Sequence, residues 1–132
     1  MSATILIAED HMPSLELMRY LLKANGYRTL IAEDGVTAVE MARTEHPDLI
    51  VCDLQMPGLN GYEVLNALRA DPALKGVRMI AVTAFSMLGD RERVLTAGFD
   101  GYFSKPIEAE TFVEQMEPFL PVELRVPRGQ SL

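Results

Sequence analysis

Five residues of this chain have the types and the placement to do chemistry together: Glu9, Asp10, Asp53, Thr83 and Lys105. Each stands at or just beyond the end of a short apolar run. "TILIA" precedes Glu9-Asp10, "DLIVCD" ends on Asp53, "RMIAVTA" carries Thr83, and "GYFS" leads into Lys105-Pro106. Singly they say little, because acid pairs cap helices, threonines end strands and loop lysines are solvated. Together they say more. Three carboxylates held close to one another repel and call for a compensating cation. An all-oxygen donor set suits a hard ion that keeps its waters, which points to Mg²⁺. A carboxylate is a competent nucleophile toward phosphorus, and a metal, an ammonium and backbone amides can meet the charge spread over a phosphoryl group in flight. The expected chemistry is phosphoryl transfer onto Asp53.

That convergence requires particular elements. Strands are predicted at 4–8, 27–32, 48–53, 78–84 and 101–104, apolar nearly throughout. Helix-periodic stretches separate them: 13–25, a helix capped by Asp34, another capped by Asn60, a fourth ending near Gly98, and a last one beginning after Pro106. Strands apolar on both faces and alternating with helices imply a parallel sheet covered on both sides. In such a sheet ligands bind beyond the carboxyl ends of the strands, where all five residues stand. Gly58 and Gly61, after Asp53, would let the following loop approach closely. Pro118 and Pro121 oppose a long last helix, and 121–132 reads as a loose tail.

Composition narrows the function. The 132 residues fit one domain, and 48% hydrophobic with 23% charged residues is ordinary for a globular chain. A formal charge of −7 argues against general nucleic-acid binding. No apolar run approaches the roughly 20 residues of a membrane span, and the N-terminus lacks a signal-peptide pattern, so a cytoplasmic location is expected. The single cysteine, Cys52, excludes an internal disulfide framework and reads as a small buried hydrophobe. His11 and His46 are not expected to be ligands, and His11 is expected to face solvent.

"ILIAEDH", "PDLIVCDLQMPGLNGYEV", "VTAF" and "YFSKPI" resemble the signature of response-regulator receiver domains over roughly residues 4–120. Within that family the stretch from Val82 to Ile107 resembles cell-division regulators of the DivK type and receivers of hybrid histidine kinases. The resemblance implies a flavodoxin-like (βα)5 fold with a parallel sheet of order 2-1-3-4-5, a receiver over 1–120 and a tail over 121–132. It implies Asp53 as phosphoacceptor, Asp10 as a direct Mg²⁺ ligand, Glu9 as an acid acting through water, and Gln55 lending its backbone carbonyl to the metal. Thr83 would bond a phosphoryl oxygen, Lys105 would pair with the phosphoryl group across a cis bond to Pro106, and Tyr102 would be an aromatic switch following Thr83. Gln55 and Phe85 would flank the path of an attacking water, with the bulk of Phe85 slowing hydrolysis. Glu9 departs from the Asp that many members carry there.

The resemblance further implies a histidine kinase or histidine phosphotransfer protein as phosphodonor and a downstream protein bound through the face of the fourth helix, fifth strand and fifth helix. No output domain fits in 121–132, so a stand-alone signalling module that acts through a bound partner, or a receiver that is one piece of a longer protein, is expected, not an enzyme acting on a free substrate. Two other classes fare worse. A haloacid-dehalogenase-like phosphatase needs a second Asp where Gln55 stands, and a flavodoxin needs a hydroxyl-rich phosphate loop where Glu9-Asp10 would repel the phosphate.

Overall fold

The computed structural model describes residues 3–84 and 89–126. Five strands, β1 (Thr4–Ala8), β2 (Arg28–Ala32), β3 (Leu49–Asp53), β4 (Arg78–Thr83) and β5 (Gly101–Ser104), form one parallel sheet in the order β2-β1-β3-β4-β5. Five helices connect or follow them: α1 (Met12–Ala24), α2 (Gly35–Glu45), α3 (Gly61–Arg69), α4 (Asp90–Ala97) and α5 (Phe112–Met116). Fold class and strand order are those expected.

The pleat explains why the strands are apolar throughout. Ile5, Ile7, Leu49, Val51, Ile80 and Val82 point to one face and join Leu15, Met18, Leu22, Phe112 and Met116 of α1 and α5. Leu6, Ala8, Ile50, Cys52, Met79 and Ala81 point to the other and join Ala38, Val64, Leu68 and Val94 of α2, α3 and α4. Each central strand thus supplies two cores. Parallel register then aligns the strand ends. Ala8 lies opposite Cys52, Asp53 opposite Val82 and Thr83 opposite Ser104, so the residues that follow β1, β3, β4 and β5 emerge along one edge.

Local signals set several boundaries as read. Asp34 caps α2, accepting from the Thr37 N–H at 2.7 Å. Asn60 and Glu63 form a reciprocal capping box at the start of α3. Gly61 is needed there because a Cβ would stand 2.6 Å from the Asp53 carbonyl oxygen. Gly58 turns the same loop with φ +77°.

The last helix begins after Pro106 as expected: residues 107–111 turn first, the Glu108 carbonyl accepting from Thr111 and Phe112, and α5 then starts with Phe112, Val113 and Met116 buried. It gives way at Glu117 to a 3-10 turn containing Pro118. The segment after Pro121 was expected to be loose, yet its described part, 121–126, is docked. Leu124 and Val126 pack on the α1/α5 core, the Val126 N–H donates to the Tyr27 hydroxyl at 3.0 Å, and that hydroxyl donates to Glu117. The Arg125 guanidinium meets the Leu120 and Pro118 carbonyls. Apolar residues without helical spacing can still be buried when a 3-10 turn and a side chain satisfy the backbone.

Candidate functional site

The edge holding the strand ends carries an open cleft of about 930 Å³, walled by Asp10, His11 and Ser14 on one side, Gln55, Met56 and Pro57 on another, and Ala84, Lys105 and Pro106 on a third. Asp53 lies at its floor, only 6% exposed. One carboxylate oxygen, Oδ1, accepts the Gln55 backbone N–H at 3.0 Å, and Oδ2 accepts the Lys105 ammonium at 3.0 Å. Lys105 reaches back from the loop after β5, next to a cis bond to Pro106. Its Nζ also donates to Oε2 of Glu9 at 2.9 Å.

Glu9 is fully buried. Its Oε2 accepts the His11 N–H at 3.1 Å as well as Lys105, while Oε1 lies 2.9 Å from the ammonium without a hydrogen bond to any described residue. A buried carboxylate oxygen without a hydrogen bond is costly unless something else meets it. Carboxylate oxygens of Glu9, Asp10 and Asp53 all fall within 4.8 Å of one another, so the three acids could hold a metal ion. The oxygen-only donors, with an Oε1 met by the ammonium alone, fit a hard divalent cation.

The charges register this crowding. Burial first, and the neighbouring Asp53 second, push the Glu9 carboxyl up to about 7, against the pull of Lys105 and the His11 N–H. Burial works against the charged form of Lys105, but its hydrogen bonds to Glu9 and Asp53 outweigh that, so the net shift is upward and the ammonium stays charged. Burial, with the adjacent acids, raises the Cys52 thiol well above its ordinary range, which suits a packed hydrophobe and not a nucleophile.

Glu9, Asp10, Asp53, Gln55 and Lys105 thus meet in one cleft. Thr83 ends β4 almost wholly buried and lines a second groove of about 440 Å³ between α3 and α4, with Tyr62, Arg93 and Val94. Tyr102 is half-buried against the α2/α3/α4 core, on the same face of the sheet as Thr83. Phe85 lies outside the described residues. His11 is exposed as expected, but it also belongs to the cleft wall, its Nδ1 2.8 Å from the Ser14 hydroxyl. Spacing carried a signal for that contact, since residues three apart at a helix start are neighbours.

Comparison with known proteins accords with this geometry. The sequence model of the response regulator receiver domain matches residues 5–117. The polar-differentiation response regulator DivK of Brucella ovis is 41% identical over 120 residues, covering 91% of this chain and 98% of the relative. The receiver domain of a Pseudomonas aeruginosa sensor histidine kinase, solved with magnesium coordinated in its active site cleft, superposes with a TM-score of 0.82 at 31% identity, over 90% of this chain and 98% of that one. The signal receiver domain of a Syntrophus aciditrophicus histidine kinase gives 0.82 at 30% identity, over 99% and 97%.

Proposed function

The chain belongs to the response-regulator receiver family of two-component signalling, and from that premise we propose that Asp53 is its phosphoacceptor. Receivers take phosphoryl groups from histidine kinases. The observation that carries the assignment is the Asp53 carboxylate at the end of β3, hydrogen-bonded to Lys105 inside the cluster of three acids.

In the proposed transfer, an Asp53 carboxylate oxygen attacks the phosphorus of a phosphohistidine. The O–P bond forms as the P–N bond breaks, and the electron pair leaves on the imidazole nitrogen, which takes a proton from solvent. Lys105, already bonded to Oδ2, follows the charge onto the phosphoryl oxygens. The Thr83 hydroxyl donates to one of those oxygens. Glu9, Asp10, Asp53 and the Gln55 carbonyl would hold Mg²⁺, Glu9 through water. Bound there, the cation would neutralise charge on the acids and on the phosphoryl oxygens. Hydrolysis of the acyl phosphate by water would return Asp53 and inorganic phosphate, with Gln55 at the cleft wall beside the water's path.

The protein is a signalling module whose product is its own modified state, which here implies a cytoplasmic setting. Among the described residues no helix is long and apolar enough to cross a membrane. Output would pass through the α4-β5-α5 face to a protein partner. Supporting a coupling, Thr83 and Tyr102 lie on adjacent strands and one face of the sheet, so Thr83 moving toward the phosphoryl group would vacate space for the ring and shift a two-state population. Tyr102→Ala is expected to leave labelling nearly intact while removing the phosphorylation-dependent gain in partner affinity; an unchanged gain would break the coupling.

The decisive experiment on the acceptor is Mg²⁺-dependent labelling from a phosphodonor, followed by intact mass. Asp53→Asn is expected to abolish it. Normal labelling of that variant would overturn the assignment.

A further inference from the structure

One wall of the cleft is built by a pair that the phosphotransfer reading does not use. His11 follows the acid pair and is the N-cap of α1, and its backbone N–H is committed to Glu9. Its side chain does not cap the helix. Instead Nδ1 lies 2.8 Å from the Ser14 hydroxyl, and both side chains line the cleft beside Asp53 and Lys105. Ser14 is 9% exposed, so the hydroxyl is a buried polar group whose partner is this ring. The contact ties the ring to Ser14 through Nδ1 and leaves Nε2 without a partner among the described residues. The Ser14 hydroxyl can donate to Nδ1, and in that tautomer the ring proton sits on Nε2, which is then a hydrogen-bond donor.

Elsewhere on the walls Met56, Pro57, Ala84 and Pro106 present apolar surface, Gln55 offers the other neutral side-chain donor, and Lys105 is engaged at the floor with Glu9 and Asp53. A phosphodonor entering above Asp53 carries oxygens that remain outside the floor, and a donor group on the wall can hold them. We propose that His11, oriented by Ser14, contacts the incoming phosphodonor through Nε2–H and so helps set which phosphoryl donors Asp53 accepts and how fast. The inference rests on Asp53 as the acceptor. It gives His11 no bond-making role: the phosphoryl group passes from the donor's nitrogen to Asp53 as written above, and the imidazole only positions it.

The test uses the whole chain with phosphoramidate as donor, following labelling by intact mass over a range of donor concentrations, with Mg²⁺ affinity measured separately by calorimetry. His11→Ala is expected to lower the second-order labelling rate about tenfold, the scale of one hydrogen bond in a partly dry cleft. His11→Gln, which keeps an N–H on a side chain of similar reach, is expected to recover most of the rate. His11→Phe, of similar size without a donor, is not. Ser14→Ala frees the ring and is expected to fall between native and His11→Ala. Mg²⁺ affinity should stay at the native value in all four. Native rates in both His11→Ala and His11→Phe would overturn the proposal. So would a loss matched by an equal loss of Mg²⁺ affinity, because His11 would then act only through Glu9 and the helix start. If the native protein takes no label at all, or Asp53→Asn takes as much, the acceptor reading falls first and this inference with it.

Discussion

At the carboxyl ends of the strands Glu9 and Asp53 share one ammonium, and a buried oxygen of Glu9 has no hydrogen bond. At the amino ends, the Arg69 guanidinium meets the carbonyls of Lys75, Val77 and Gly98 and the carboxylate of Asp100, which in turn accepts the Met79 N–H. At the same end of the sheet but beside β2, the Tyr27 hydroxyl both donates to Glu117 and accepts from Val126. Each pole therefore spends its polar groups differently. Where acceptors outnumber donors, acids are held near one another with their charge incompletely met, a state that a cation or a phosphoryl group can relieve. Where donors and acceptors match, charge serves to tie loops together. Reactivity and rigidity are placed at opposite ends of the same strands, and the buried apolar sheet between them keeps one from disturbing the other.

This contrast can be broken most directly at Lys105. Lys105→Met removes the only cation among the described residues that bonds Asp53, and labelling is expected to slow on the order of a hundredfold. Equal labelling rates in native and variant would show that the acids need no ammonium. The next largest effect separates the poles by pH. Glu9 sits at about 7 in the fold against 4.5 ordinarily, so the folded chain keeps a proton that the unfolded chain has released. Its contribution to stability is complete below pH 4.5 and is lost as pH rises through about 7. Without divalent cations, the melting temperature is expected to be lower at about pH 8 than at about pH 5, and Glu9→Gln to reduce that difference. A difference unchanged by the substitution would place the pH dependence elsewhere.

At the other pole, Arg69→Ala is expected to cost about 1–3 kcal/mol in denaturant unfolding, since it takes the guanidinium from the part-buried Val77 carbonyl and from Asp100, which keeps only the Met79 N–H, discounted for solvent access. The labelling rate and Mg²⁺ affinity should not change. A slowed transfer would mean that the two ends are coupled through α4 and β5. Smallest is Tyr27→Phe, which loses the bonds to Glu117 and Val126 for about 1 kcal/mol. Amide exchange at Val126 should rise while labelling stays at the native rate; unchanged exchange would show that apolar contacts of Leu124 and Val126 hold the segment.

Much of the molecule could be read before folding because its signals are local or are repeated by several residues. The apolar runs fix five strands, the Asp34 and Asn60 caps fix two helix starts, and a parallel sheet then obliges Glu9, Asp10, Asp53, Thr83 and Lys105 to share one edge. The family motifs add the order of the strands. Three features could not be read in this way, each decided by partners distant in sequence. Full burial of Glu9, with both oxygens against one ammonium, depends on Lys105 arriving from 96 residues away. The docking of 121–126 depends on Tyr27, whose hydroxyl is 99 residues from Val126 and offers no periodicity to see. That Thr83 and Asp53 line two adjoining grooves, which share Gln55 and Met56, follows from the pleat, which sends neighbouring strand ends to opposite faces only once the register is set. Sequence determined which groups gather at the edge, because strand ends are local. Tertiary structure decided which of them are paired, buried or exposed, because those properties belong to contacts that close only when the sheet does.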